Sequence, residues 1–194
     1  MRYEGSELIW TAEANRFLVE EARDLTPGRA LDLGCGEGRN AVWLAERGWD
    51  VTAVDFSEVG LAKAARLADS REVFVKWVLG DARVHVPEPL AFDLVVVLYL
   101  HLPPSDRRAA HARAAGAVAP GGLLLVVGHD STNLAEGHGG PQDPAILFTP
   151  QDVATELPGL EVERAERVRR PVATEDGEVE AIDALVRAGR PPAG

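Results

Sequence analysis

The sequence has 194 residues, 46% of them hydrophobic, and its 20 Lys and Arg against 31 Asp and Glu give a formal net charge of −11 at pH 7. This length suits a single domain with one well-buried core. The acidic balance disfavours nucleic acid and anionic membranes as partners, because like charges repel. Cys35 is the only cysteine, which excludes an intrachain disulfide and fits a cytoplasmic protein. No run approaches about 20 apolar residues, and residues 1–10 lack the apolar core of a secretion signal.

Apolar periodicity and turn residues predict an alternation of helices and strands. In chain order the predicted elements are a helix at 6–25, a strand at 29–33, a helix at 38–48, a strand at 50–55, a helix at 58–68, strands at 73–81 and 92–100, a helix at 103–118, a strand at 119–128, a helix at 149–157, and strands at 160–170 and 178–189. Parallel strands need crossover connections, so this order predicts an α/β fold with one doubly wound sheet.

Three segments fall outside that alternation. Residues 129–144 are polar and rich in Gly and Pro, which predicts a long loop. The basic stretch "RAERVRRP" at 164–171 is interpreted as the solvated face of a strand. Residues 190–194 are expected to be a frayed tail of a single domain that spans 1–189.

The stretch "LDLGCGEGRN" at 31–40 places Gly34, Gly36 and Gly38 in one tight bend between a strand and a helix. Glycine permits positive φ, and without β-carbons the backbone allows a ligand to approach closely. Dinucleotides, nucleoside phosphates and S-adenosylmethionine (SAM) all bind in this way, so the bend alone leaves the ligand open.

Acidic residues at the strand ends distinguish these ligands. The glycines follow G-x-G-x-G rather than the G-x-G-x-x-G of dinucleotide folds, and no Gly-Lys-Ser/Thr follows as in a P-loop. Asp32, Asp55 and Asp81 each lie at the carboxyl end of a predicted strand, where ligands bind in doubly wound sheets. Three carboxylates there disfavour a polyphosphate and favour a cationic ligand.

Five motifs resemble those of class I SAM-dependent methyltransferases, in the same order: "LDLGCGEGRN", "VTAVDFS", "GDAR", "FDLVVV" and "APGGLLLVV". The run "GEGRNAVWLAERGWDVTAVDFS" is most similar to the small bacterial tellurite-resistance and thiopurine methyltransferases. The resemblance implies a Rossmann-like, mostly parallel sheet with an antiparallel C-terminal strand. It also implies a small-molecule acceptor, and it leaves the oligomeric state open.

The resemblance further implies roles for individual residues. Asp32 and the backbone of the glycine bend would hold the methionine end of SAM, Asp55 the ribose hydroxyls, and Asp81 the adenine amino group. The cofactor site it implies consists of Trp10, Asn15, Asp32, Gly34, Cys35, Gly36, Glu37, Gly38, Asn40, Asp55, Phe56, Ser57, Gly80, Asp81, Ala82, Arg83, Leu98 and Tyr99. Trp10 and Asn15 lie on an N-terminal segment, residues 1–25, which would close over the cofactor. For Asn40 and its neighbour Arg39, mere decoration of the first helical turn is an equal alternative.

Methyl transfer requires a general base only if the acceptor must lose a proton. His101, just beyond the fourth strand, is the best-placed candidate, and stabilisation of its loop is the alternative role. A thiolate, selenide or telluride acceptor would need no base. The loop at 129–148 contains His129, Asp130, Glu136 and His138, whose spacing matches no zinc pattern, so we expect a substrate-side lid and no metal.

Two functions of different class follow from these motifs. One is an active methyltransferase, and the other is a non-catalytic SAM-binding module in a partner's complex. For the apo protein, we expect removal of the Asp55 carboxylate to change stability little, because the side chain would point into an empty cleft.

Overall fold

The computed structural model describes residues 13–174 and 177–194. Seven strands are present in these ranges: β1 (Arg29–Leu33), β2 (Asp50–Asp55), β3 (Lys76–Leu79), β4 (Phe92–Leu98), β5 (Val118–His129), β6 (Glu161–Thr174) and β7 (Gly177–Gly189). The helices are α1 (Arg16–Ala22), α2 (Arg39–Glu46), α3 (Glu58–Ser70), α4 (Pro104–Ala117), α5 (Asn133–Glu136) and α6 (Pro150–Ala154). Within the described ranges, every helix is too short or too polar to cross a membrane.

The strands form one sheet in the order β3-β2-β1-β4-β5-β7-β6. The pairs from β3 to β5 are parallel, and β7 is antiparallel to both of its neighbours, β5 and β6. This confirms the predicted α/β class, the mostly parallel sheet and the antiparallel C-terminal strand. The strand order reverses between β1 and β4, and ligands of such sheets bind at the carboxyl ends of the strands beside this point.

Apolar side chains cover both faces of the sheet. On β4, Leu94, Val96 and Leu98 belong to the core beneath α1 and α2, whereas Val95 and Val97 belong to the core beneath α4 and α6. A strand buried on both faces has to be apolar at nearly every position, as "FDLVVVL" is. The buried sheet thereby fixes the strand ends that carry the candidate site.

The C-terminal part differs most from the expectation. The predicted loop at 129–148 contains α5 and a 3₁₀ turn at Pro144–Ile146, so part of it is regular structure. β7 pairs with β5 only as far as His129↔Asp183, while its pairing with β6 continues to Thr174↔Gly177. The β6–β7 hairpin therefore extends beyond the carboxyl end of β5, and the candidate site lies at this end of the sheet. The proposed lid segment falls largely on residues 1–12, outside the described ranges.

Candidate active site

The glycine bend joins β1 to α2 with three residues in the left-handed region. Gly34, Gly36 and Gly38 have φ values of 85°, 56° and 80°, as the alternating glycines predict. The backbone N–H groups of Gly34 and Cys35 both donate to the carbonyl of Val54, at 2.8 and 3.0 Å. The bend is therefore fastened to β2.

Asp32 is a buried carboxylate directly before this bend. It is 1% exposed, and its Oδ2 has no hydrogen-bond partner among the residues that the structure describes. Burial and then the negative charge of Asp55 raise the pKa of Asp32 to about 7, against the influence of Arg39 and a backbone hydrogen bond from Ala41. A buried carboxylate oxygen without a hydrogen-bond partner is costly, so this position fits a cationic ligand group.

Asp55, at the end of β2, connects two loops. Its Oδ2 accepts from the backbone N–H of Gly36 at 2.8 Å, and its Oδ1 accepts from that of Ser57 at 2.9 Å. The side chain thus holds the glycine bend against the β2–α3 connection in the apo protein. The premise that this side chain points into an empty cleft is wrong, and we now expect its removal to lower apo stability, because two charge-assisted hydrogen bonds would be lost.

A cavity of about 720 Å³ opens beside the glycine bend, within the range that small-molecule sites occupy. Nine of the residues predicted from the sequence line it: Asn15, Gly34, Cys35, Gly36, Glu37, Asn40, Leu98, Tyr99 and His101. The cavity is also lined by His129, His138, Gly139 and Gly140 from the segment expected on the substrate side, and by Arg39, Arg170, Pro171 and Val172, which were not predicted as site residues.

The residues assigned to the adenosine end lie outside this lining, around the ends of β2 and β3. The Phe56 side chain is 71% exposed, as an aromatic face open to a ligand would be. Ala82 is buried, and the N–H of Gly80 donates to the carbonyl of Asp55 at 2.9 Å. Asp81 binds the Arg83 guanidinium through both carboxylate oxygens. That hydrogen bonding lowers the pKa of Asp81.

Several predicted side chains already have structural roles. Glu37, in the glycine bend, forms a buried ion pair with Lys63 at 2.9 Å, which ties the bend to α3 and argues against a cofactor contact by its carboxylate. The Ser57 hydroxyl caps α3 by accepting from Gly60. Asn15 caps α1, and its backbone N–H donates to the Asn40 side chain at 2.9 Å. This last bond docks α1 onto α2 beside the cavity; Trp10 lies outside the described residues.

Cys35 is packed within the bend. Its thiol is buried, and burial raises its pKa well above the ordinary value. A thiol of this kind is a poor nucleophile, so Cys35 fits the bend as a small, packed residue.

A polar network that sequence analysis missed connects Tyr99 to the C-terminal hairpin. Asp183 on β7 is fully buried, and its Oδ2 accepts from the Tyr99 hydroxyl and from Arg170 Nε, both at 2.7 Å. Tyr99 has a φ of 55°, an uncommon conformation for a residue with a β-carbon, directly after β4. One signal was available, since Asp183 is the single acid inside the apolar run "AIDALV" of a buried strand.

The two histidines beside this network are held in place by protein groups. Nε2 of His101 accepts from the backbone N–H of His129 at 3.1 Å, so this nitrogen is unprotonated and its lone pair is used. This bond argues against His101 as the general base and favours the alternative, stabilisation of its loop. Nδ1 of His129 lies 3.1 Å from Asp183 Oδ1 but is poorly aligned for a hydrogen bond.

The segment after β5 does not gather a metal site among the described residues. Asp130 is instead bound by Thr132 and by Arg167, whose Nε lies 2.9 Å from Oδ1. Gly140 packs against the ring of His129, where a β-carbon would come within 2.7 Å of Cδ2. His129 and Gly140 form part of the cavity wall.

Gly38 offers a test of how tightly the bend is packed. A β-carbon at this position would lie 2.6 Å from Ala64 Cβ and 2.7 Å from Trp77 Cη2, in addition to its φ of 80°. We expect Gly38→Ala to lower the free energy of unfolding by about 2 kcal/mol more than Gly121→Ala, because overpacking adds to backbone strain. Gly121 is the matched control, since its φ is 79° with nothing within 4 Å of a β-carbon. Urea denaturation measures both variants, and equal losses would contradict the packing argument.

Comparisons with known proteins agree with this geometry. A family model described as "Methyltransferase domain" matches residues 30–122. Glycine N-methyltransferase of Rattus norvegicus is 34% identical over 140 residues, which cover 64% of this chain and 48% of the relative. A demethylmenaquinone methyltransferase of Thermus thermophilus is 35% identical over 126 residues, covering 63% and 55%. The crystal structure of TehB from Haemophilus influenzae superposes with a TM-score of 0.74 at 21% identity, covering 91% of this chain and 62% of that one.

The chain spans about half the length of the curated relatives it matches. Their names give two different acceptors, glycine and demethylmenaquinone, and one type of reaction. The family model covers the glycine bend, β2, β4 and the start of β5, which carry the motifs recognised in the sequence. SAM is the methyl donor that this match implies. Residues 30–122 are therefore similar to the methyltransferase domain of class I SAM-dependent methyltransferases.

Proposed function

We propose that this protein transfers a methyl group from SAM to a small-molecule acceptor whose nucleophilic atom is already deprotonated when it binds, such as a thiolate, selenide or telluride. The observation that carries the donor half of this proposal is the glycine bend beside Asp32. A buried carboxylate oxygen without a partner in the described chain lies directly before a bend whose residues Gly34, Cys35 and Gly36 line the cavity. Both fit the ammonium-bearing methionine end of SAM.

Bound SAM would supply a methyl group on a positively charged sulfonium. The residues of the chain would then orient the acceptor and exclude water, and alignment alone contributes much of the rate of such a displacement. Leu98 and Tyr99, at the end of β4, stand between the glycine bend and the hairpin wall. They would therefore separate the donor half of the cavity from the acceptor half.

The acceptor half supports a nucleophile that needs no general base. Nε2 of His101 already accepts a backbone N–H. Burial and then the charge of Asp183 raise the pKa of Tyr99, so the phenol stays protonated near neutral pH. Asp183 accepts hydrogen bonds from Tyr99 and Arg170. Because these groups already form hydrogen bonds with protein groups, they are better suited to position the acceptor than to remove a proton from it.

Two measurements test the proposed function. Calorimetry should show SAM and S-adenosylhomocysteine binding at least about tenfold more tightly than NAD, because three carboxylates near the strand ends oppose a pyrophosphate. Incubation with labelled SAM and panels of thiols, tellurite and thiopurines, followed by cell-extract metabolites, should show transfer of the label. NAD binding without SAM binding would refute the proposal, and SAM binding without any labelled product would favour the non-catalytic module.

A further inference from the structure

Arg170 presents its guanidinium at the wall of the cavity in a fixed orientation. Its Nε donates to Asp183 Oδ2 at 2.7 Å and lies 3.2 Å from the Tyr99 hydroxyl, and its guanidinium carbon is 5.7 Å from the centre of the Tyr99 ring. Within the described ranges, no protein group bonds to its two terminal nitrogens. Arginine recognises carboxylates and oxyanions through such N–H groups.

The carboxylate that holds Arg170 is already engaged. Both bonds to Asp183 Oδ2 come from within the network, and Oδ1 lies against His129. Asp183 is fully buried, whereas the Arg170 side chain retains 24% exposure and lines the cavity. Asp183 therefore fixes the orientation of the Arg170 guanidinium and leaves part of it exposed to a ligand in the cavity.

A second guanidinium faces the same cavity. Arg39, in the first turn of α2, is a lining residue; burial lowers its pKa, electrostatic interactions with Tyr99 and Asp32 raise it, and the positive charge of Arg170 lowers it. Two guanidinium groups therefore line one cavity, and each has a carboxylate nearby, Asp183 for Arg170 and Asp32 for Arg39. An anion placed between the two guanidinium groups would be attracted to both of them.

We propose that the methyl acceptor carries a carboxylate or a comparable small oxyanion, and that the terminal nitrogens of Arg170 bind this group. This inference rests on the proposed function and names its acceptor class. SAM also has a carboxylate, which could bind an arginine of the cavity in the same way. Arg39 lies next to the glycine bend and within electrostatic reach of Asp32, so we assign the carboxylate of the donor to Arg39 and that of the acceptor to Arg170.

Three thiols of similar size and different charge test the acceptor class: thioglycolate, 2-mercaptoethanol and cysteamine. Their binding to the protein saturated with S-adenosylhomocysteine is followed by ligand-observed NMR, and the titrations are repeated without S-adenosylhomocysteine. We expect thioglycolate to bind at least about tenfold more tightly than 2-mercaptoethanol, with cysteamine weakest, because one charge-assisted contact is gained. Equal binding of the three thiols, stronger binding of cysteamine, or no binding of thioglycolate would overturn the inference.

Matched variants assign the preference to one residue. Arg170→Gln should abolish the preference for thioglycolate, Arg170→Lys should retain part of it, and Arg39→Gln should mainly weaken S-adenosylhomocysteine binding. Arg169→Gln is the control, since Arg169 is the neighbouring exposed arginine and pairs with Glu180 on the surface. Melting temperatures identify any loss of fold. A stable Arg170→Gln protein that keeps the thioglycolate preference would refute the role of Arg170.

Labelled-methyl transfer separates the failure of this inference from that of the proposed function. Methylation of 2-mercaptoethanol at a rate equal to that of thioglycolate would leave the methyltransferase activity standing and refute the anionic acceptor. Failure of S-adenosylhomocysteine and SAM to bind would refute the proposed function, and the titrations without cofactor would still measure the anion preference.

Discussion

At pH 8 and without ligand, the Asp32→Asn variant should be more stable than the wild-type protein, while it loses most of its affinity for SAM. The wild-type carboxyl is 1% exposed and has a pKa of about 7, against an ordinary value of 3.8. A carboxyl whose pKa is raised on folding stabilises the protein fully below the ordinary value, and this contribution is lost as the pH rises to about 7. The difference corresponds to about 4 kcal/mol.

Asparagine has nearly the same shape and no charge to bury, so this variant should lack the loss of stability between pH 4 and pH 7. Urea denaturation at pH 5 and pH 8 measures the effect: the wild-type protein should weaken between these values more than the variant does. Asp130→Asn is the control. Asp130 is equally buried but is paired with Arg167, so its neutralisation should destabilise the protein at both pH values. A gain in stability for Asp130→Asn, or none for Asp32→Asn, would contradict the argument.

The same carboxyl should make SAM binding depend on pH. The ammonium group of SAM requires an ionised partner, and Asp32 is largely protonated below its pKa of about 7. We therefore expect the affinity to fall by about tenfold for each pH unit below 7 and to level off above it. Calorimetry from pH 5.5 to pH 8.5 measures this, and Asp32→Asn should give a weak and flat profile. If the affinity of the wild-type protein did not change with pH across this range, Asp32 would not be the residue that binds the ammonium group of SAM.

The sheet and the glycine bend were predictable because local residues determine them. Short, valine-rich apolar runs such as "FDLVVVL" favour a strand covered on both faces, and the alternating glycines occur where φ is positive. Asp32 and Asp55 were predictable as strand-end acids for the same reason. Each of these signals lies within a few residues in the sequence.

The cluster of Tyr99, Arg170 and Asp183 on the acceptor side of the cavity could not be predicted in this way, because its residues are far apart in the chain. Arg170 belongs to a basic stretch that was interpreted as solvated, and Arg167 and Arg169 do remain about half exposed. Only the pairing of β6 with β7 and the end of β5 at His129 bring Arg170 to Asp183 and Tyr99. The contacts of Glu37 with Lys63 and of His101 with His129 are likewise tertiary: the first gives Glu37 a role other than the predicted one, and the second favours the predicted alternative for His101, stabilisation of its loop.

Asp55→Ala should reduce both SAM affinity and apo stability. Each carboxylate oxygen already accepts one backbone N–H, from Gly36 or Ser57, and keeps a further lone pair for a ribose hydroxyl. Loss of two charge-assisted hydrogen bonds to the ligand, about 1.5–3 kcal/mol each, predicts an affinity loss of about a hundredfold or more. Loss of the two backbone bonds should lower the free energy of unfolding by about 2 kcal/mol or more. Asp55→Asn should also destabilise the protein, since its amide NH₂ would face one of the two N–H donors.

Ser57→Ala is the matched control for this prediction, because it removes the cap of α3 without changing the carboxylate. It should lower the free energy of unfolding by about 1 kcal/mol and leave SAM affinity nearly unchanged. Calorimetry and urea denaturation of the same preparations separate the two roles of Asp55. If Asp55→Ala lost stability but bound SAM as tightly as the wild-type protein, Asp55 would be a brace of the glycine bend and the ribose assignment would be wrong. If it lost affinity at unchanged stability, the two backbone bonds would contribute nothing to the apo fold.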